Sequence, residues 1–233
     1  MDCRSILTED EHDGLLYRFI PNTPGKLLDG GTLQALAIKG KPSFDTRNWK
    51  SRTVEVGQQM DAEWIDLEDI DNPNDDLRLR GFNDGAARFA RGEGMWFGDD
   101  AVYFACRRNG GPEKLGQIWK YTPSSDEASN NEATNPGNLE LFVESMDSTI
   151  IENADNLTVA PWGDLIVCED CDKKQDLKGI TPEGNVYNLG RNAKSNSELA
   201  GATFSPDGST LFMNIRRSGL TLAITGPWYK AQS

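Results

Sequence analysis

Short runs of β-forming residues, each cut off by Gly, Pro, Asn or Asp, recur along this chain: GLLYRFIPNTPG from Gly14, AVYFACRRNGG from Ala101, GQIWKYTPSS from Gly116, NLTVAPWGDLIVCED from Asn156, GATFSPDGSTLFMNI from Gly201 and GLTLAIT from Gly219. Runs of this length, closed by turn residues, read as strands, and no long amphipathic helical pattern competes with them. The recurring unit is a strand, a Pro or Gly turn, a second strand, a polar loop and a third strand that closes on another turn. LTVAPWGDLIVCEDCDKKQDLKGITPEG and ATFSPDGSTLFMNIRRSGLTLAIT carry the whole unit, and SILTEDEHDGLLYRFIPNTPG carries its second half. A unit this small cannot cover both faces of its own sheet, so copies must stack, which predicts an all-β chain of β-propeller-like blades. A β-sandwich is the other architecture the pattern permits. We expect residues 1–233 to form a single partial propeller domain of three to four blades that do not close on themselves and leave strand edges exposed.

Charge and cysteine spacing exclude several function classes. The 37 Asp and Glu against 24 Lys and Arg leave a net charge of -13, which repels polyphosphate backbones and favours cations, so nucleic acid is not an expected partner. No apolar run approaches the length of a membrane-spanning helix, and MDCRSILTEDEHDG lacks the charged and apolar regions of a signal peptide, so the chain is expected to carry neither a membrane span nor an export address. Cys168 and Cys171 form a C-x-x-C, but Cys3, Cys106 and the single histidine, His12, lie far off in sequence and complete no four-ligand zinc set. A redox C-x-x-C opens a helix, whereas DLIVC reads as a strand, so two unpaired thiols beside a strand end are expected.

The acidic residues are more informative. Two copies of the unit leave a strand through an acidic pair, Glu9-Asp10 and Glu169-Asp170. Blades deliver equivalent strand ends to one central face, so carboxylates at one position of the repeat can converge, and converging carboxylates bind hard cations. A solvated acidic turn is the bland reading of either pair alone. Residues 122–138 read as a polar loop insertion, mobile and outside the chemistry. Residues 58–84 are dense in carboxylates but lack the glycine and terminal glutamate of an EF-hand, and are expected to be a connecting segment.

In GFNDGAARFARGEGMWFGDDAVYFACRRNGG from Gly81, followed by GQIWKYTP, the chain resembles the PhoX family of bacterial alkaline phosphatases. The resemblance continues in the family's order through NADNLTVAPWGDLIVCED, GITPEG, RNAKSNSELAGATFSPDGSTLFMNI and AITGPW, and more loosely in LTEDEHDGLLYRFIP. It implies a phosphomonoesterase on a β-propeller, with calcium and iron ions that bind phosphate at its centre. Glu93 matches a metal-ligand glutamate of the family, and Arg91 an arginine that holds substrate phosphate. Arg191 looks like the second phosphate arginine, and Glu9 sits where the family has a further ligand glutamate. Asp155, Asn156, Glu169, Asp170 and Glu198 fall in motif segments expected to face the metal site.

Members of that family are longer, and their N-terminal half supplies further blades and a cysteine that bridges the irons. None of the four cysteines here falls in that motif. The resemblance therefore implies the C-terminal half of a PhoX-type propeller, active only when the missing blades are supplied in cis or by a second chain. A periplasmic or secreted location would follow from an upstream signal. The residue types suit the chemistry, because cations neutralise a phosphomonoester's charge and activate water, while arginine grips phosphate oxygens in bidentate geometry. Two alternatives are a non-catalytic calcium-binding propeller module and a lactonase-like calcium hydrolase; Arg91 and Arg191 favour phosphate over lactone.

Overall fold

The computed structural model describes residues 5–98, 100–172 and 174–228. Eight strands form the first sheet: β1 (Ser5–Thr8), β2 (Leu16–Pro21), β3 (Gly31–Ile38), β4 (Gln59–Asp66), β5 (Gly92–Gly98), β6 (Ala101–Cys106), β7 (Gln117–Thr122) and β8 (Gly137–Glu144). Their antiparallel order is β1-β2-β3-β4-β8-β7-β6-β5, two four-strand meanders joined where residues 59–62 of β4 pair with 137–140 of β8. The sheet curls until its edges approach: Thr8 Oγ1 donates to Glu93 O at 2.7 Å, and Gly92 N to Glu9 O at 2.9 Å. The second sheet holds β9 (Ala154–Val159), β10 (Leu165–Glu169), β11 (Asp176–Ile180) and β12 (Val186–Arg191) in sequence order. The third holds β13 (Leu199–Phe204), β14 (Thr210–Ile215) and β15 (Leu220–Thr225).

Period-two alternation explains why these sheets stack. In β6, Val102, Phe104 and Cys106 turn into the curl of the first sheet beside Leu16, Phe89, Trp119 and Leu141. Tyr103 and Ala105 point the other way and meet Leu157, Leu165 and Val167 of the second sheet. In β10, Ile166 and Cys168 leave the opposite face to pack on Leu199, Leu211 and Met213 of the third. Each such side chain, fully buried, contributes about 1.5–3 kcal/mol, so a strand apolar on both faces is stable only between two others. The result is the all-β, propeller-like stack that the repeat implies. Its first two meanders share an edge rather than standing as separate blades, and among the described residues β12 and β15 have an unpaired edge.

Two sequence expectations need correction. Residues 58–84 are more than a connection, since Met60 and Ala62 are buried between exposed Asp61 and Glu63, the alternation of a strand, and 59–66 form β4. Carboxylate density hid this pattern. Asn72 Oδ1 then accepts from Asp76 N and Leu77 N at 2.7 and 2.8 Å, so the acidic turn opens the short helix α1 (Leu77–Asn83) rather than enclosing calcium. The polar insertion within 122–138 is tied down rather than loose: Glu127 and Glu132 both receive Arg18 Nη1 at 2.6 Å, and Arg18 is only 1% exposed. Among the described residues, no helix is long and apolar enough to cross a membrane.

Candidate functional site

One local device positions the site in successive sheets. Arg91 and Asn153 adopt left-handed backbone, φ 53° and 51°, each immediately before the first strand of its meander. A non-glycine residue there costs on the order of 1 kcal/mol and persists only where its surroundings hold it. The carbonyl of each accepts the backbone N–H of the residue after the second strand: Arg107 N to Arg91 O at 3.0 Å, Asp170 N to Asn153 O at 3.1 Å. The third sheet repeats the bond as Arg216 N to Glu198 O, also 3.0 Å. Glu93 and Asp155 thus occupy the second position of β5 and β9, and Arg107, Asp170 and Arg216 occupy matching strand ends.

A glycine lets these sheets meet closely. A Cβ on Gly94 would lie 2.7 Å from Asp155 O and 2.8 Å from Asn156 Cα, and one on Gly98 would strike Val159, so β5 and β9 run side by side in the same direction. Asn156 Oδ1 accepts Gly201 N at 2.9 Å and ties β9 to β13.

These contacts gather charge on one rim. Arg107 Nη1 stands 2.6 Å from Asp170 Oδ2, 3.6 Å from Asp155 Oδ1 and 3.9 Å from Glu93 Oε1. Beside it Arg91 forks onto Asp10, Nε to Oδ1 at 2.7 Å and Nη2 to Oδ2 at 3.0 Å. Glu198 is met by Arg216 at 2.7 Å. Burial, then the Glu93 charge and a hydrogen bond with Glu198, raise the Asp155 carboxyl to about 8. Burial, then the Asp10 charge, also raise Glu93. Among the described residues, Asp155 Oδ1 and Arg107 Nε are buried without a hydrogen-bond partner.

The remaining predicted residues are placed otherwise. Glu9 turns away from its neighbour Asp10: its Oε2 accepts Tyr17 Oη at 2.6 Å and Leu15 N at 3.1 Å, and burial raises its carboxyl. Glu169 likewise parts from Asp170, for its Oε1 accepts Glu152 N at 2.8 Å and lies 3.9 Å from the buried Lys178 Nζ. Arg191 ends β12 at the outer strand and forks onto Asp176 at 2.6 and 3.1 Å. Cys168 packs in the core and Cys171 Sγ donates to Glu152 O at 3.3 Å; burial pushes both thiols up, so neither is poised as a thiolate.

Sequence reasoning missed Arg107 and Arg216. Superposing the repeat on itself would have found Arg107, because Cys106-Arg107 and Glu169-Asp170 leave the second strands of neighbouring meanders in the same way.

The donor set of the rim is all oxygen, the preference of calcium and of ferric iron. Asp155 Oδ1 makes no hydrogen bond among the described residues, with Arg107 Nη1 3.6 Å away, and burial and neighbouring acids raise the Asp155 carboxyl to about 8, as in a group of crowded carboxylates. Among the described residues, no three Asp, Glu, His or Cys side chains are spaced to hold a metal ion. Comparison with known proteins gives one family match: the model for alkaline phosphatase PhoX matches residues 4–219. No curated protein matches the chain.

Proposed function

Because the chain belongs to the alkaline phosphatase PhoX family, we propose that it serves metal-dependent hydrolysis of phosphomonoesters at the rim formed by Glu93, Asp155, Asp170 and Glu198. The observation that carries this reading is the convergence of carboxylates from β5, β9 and the end of β10 on one point, with a second arginine, Arg91, beside it.

In this reading Glu93, Asp155, Asp170 and Glu198 hold hard cations, calcium and iron. Such ions, when bound, neutralise substrate charge and make a bound water nucleophilic near neutral pH. Arg91 supplies a planar fork already aimed by Asp10, and phosphate oxygens fit the geometry in which it now grips a carboxylate. Its left-handed backbone fixes the side chain on the rim directly ahead of Glu93. Arg191, at the same end of the second sheet and 59% exposed, is the second phosphate arginine, with Asp176 setting its direction. Asn156 acts at one remove by binding β13 to β9, and Glu9 and Glu169 support the rim from behind.

The test is hydrolysis of p-nitrophenyl phosphate by the protein supplied with calcium, iron and the further blades that the family resemblance implies, in cis or as a second chain. Metal-dependent turnover that chelation abolishes, and that Arg91→Ala lowers about 10²-fold or more, is expected. Bound calcium without iron and without turnover would favour the calcium-binding module instead.

A further inference from the structure

We propose that Arg107 is an internal stand-in for the cation, so that its guanidinium and a hard metal ion compete for the same carboxylates. The proposal rests on the metal reading above. It starts from a contrast among arginines of this molecule. Arg91 and Arg191 each present the two-pronged edge of the guanidinium to a single carboxylate, the geometry in which arginine binds best. Arg107 instead brings one nitrogen, Nη1, within 4 Å of three carboxylates that come from three different segments, while its buried Nε makes no hydrogen bond among the described residues. The shape of the guanidinium is unused there, and only its charge at one point matters. A spherical cation would be used in the same way.

The placement of Arg107 supports the same conclusion. Its backbone N–H bonds to Arg91 O as that of Asp170 bonds to Asn153 O, so the two residues hold equivalent positions in adjacent meanders, one cationic and one anionic, and meet at 2.6 Å. Without the arginine, Glu93, Asp155 and Asp170 would lose the cation that stands within 4 Å of all three and keep only the weaker influence of Arg91, Arg108 and Arg216, and one partner lost from a buried ionic cluster is costly. Arg107 thus keeps the rim assembled when no ion is bound. Its side chain is 16% exposed at the rim, so it can leave toward solvent when an ion enters.

The experiment is calorimetric titration of the chelator-treated protein with calcium chloride, with melting temperatures in chelator and in calcium, for wild type, Arg107→Gln and Arg107→Lys. Arg107→Gln should bind calcium about tenfold to a hundredfold more tightly, the equivalent of one displaced charged hydrogen bond. It should melt about 5 °C or more lower in chelator, with calcium restoring the loss. Arg107→Lys keeps the charge and should stay within a few-fold of wild type. If wild type binds calcium and Arg107→Gln binds it no tighter, competition is wrong while the metal reading stands. If no variant binds calcium, the metal reading and this proposal fall together. Tightening by Lys equal to that by Gln would show that charge is not the cause. Should Arg107→Gln fold only with calcium, the stand-in role is supported; should it fail to fold with calcium as well, Arg107 is structural and the proposal fails.

Discussion

Around Arg191, the charged cluster is built within one sheet and the loop before β11: Arg191 on β12 meets Asp176 on β11, and Lys178 on β11, Glu169 at the end of β10 and Lys174 of the loop complete it. Around Arg107, the partners come from two sheets: Glu93 on β5, Asp155 on β9 and Asp170 beyond β10. In the first cluster Lys174, Lys178 and Arg191 offset the charges of Glu169 and Asp176. In the second, one guanidinium faces three acids, and Glu198 adds a fourth through its hydrogen bond with Asp155. The carboxyls respond in opposite senses. The hydrogen bond from Arg191 holds Asp176 below the ordinary carboxylate range, whereas burial and neighbouring acids lift Asp155 to about 8. The cluster within one sheet is offset in charge, whereas the cluster between sheets is left acidic.

The largest effect that would sharpen this contrast is expected from Lys178→Met. Lys178 Nζ is buried between Asn188, Asp176 and Glu169, so its loss takes the nearest cation from the fully buried Glu169, while Asp176 keeps Arg191, and should cost about 3–5 kcal/mol in urea unfolding. A cost below about 1 kcal/mol would show that the in-sheet cluster is not a stabilising element. Next comes Glu93→Gln, which should lower p-nitrophenyl phosphate hydrolysis about 10²-fold or more while leaving the metal-free protein at least as stable, because it relieves crowding among acids. Equal losses of stability in these two variants would erase the distinction.

The pH dependence is the third test. Asp155 has a folded pKa raised above its unfolded value, so its contribution to metal-free stability is complete below about pH 4 and is lost as pH rises to about 8. Asp176 is shifted down, so its contribution is present above the ordinary aspartate range and is lost as pH falls below it. Melting curves in chelator for Asp155→Asn should show a shallower decline between pH 5 and 8, with Glu9, Glu93 and Glu169 supplying the remainder, and those for Asp176→Asn should keep the full decline. The smallest effect is expected at Asp10→Asn, which weakens a partly exposed pair with Arg91 and should change stability by only about 0.2–1 kcal/mol.

Local patterns were easy to read. Both β10 and β14 follow directly from short apolar runs closed by turn residues, and the acids of RGEG and NADN lie where two strands begin. The pair Glu169-Asp170 shows where reading stops. Adjacent in sequence, the two residues look like one acidic feature, but alternation across the strand, together with a register shift between Cys168 and Glu169, sends one to Lys178 and the other to Arg107. Glu9 and Asp10 part in the same way, one to Tyr17 and one to Arg91. β4 was obscured because its exposed face carries the carboxylates that drew attention to a loop.

The sequence by itself therefore determined the all-β class, the places where strands turn, and the supply of carboxylates at strand ends, since each depends on side-chain alternation and turn chemistry within a few residues. Only the tertiary structure decided which carboxylates meet. That outcome depends on how closely whole sheets approach, on Gly94 admitting Asp155 and Asn156, and on the left-handed carbonyls of Arg91 and Asn153 fixing Arg107 and Asp170 at facing strand ends. Electrostatic contact falls off over a few ångströms, and residues 63 positions apart, such as Arg107 and Asp170, come to 2.6 Å only when two sheets pack.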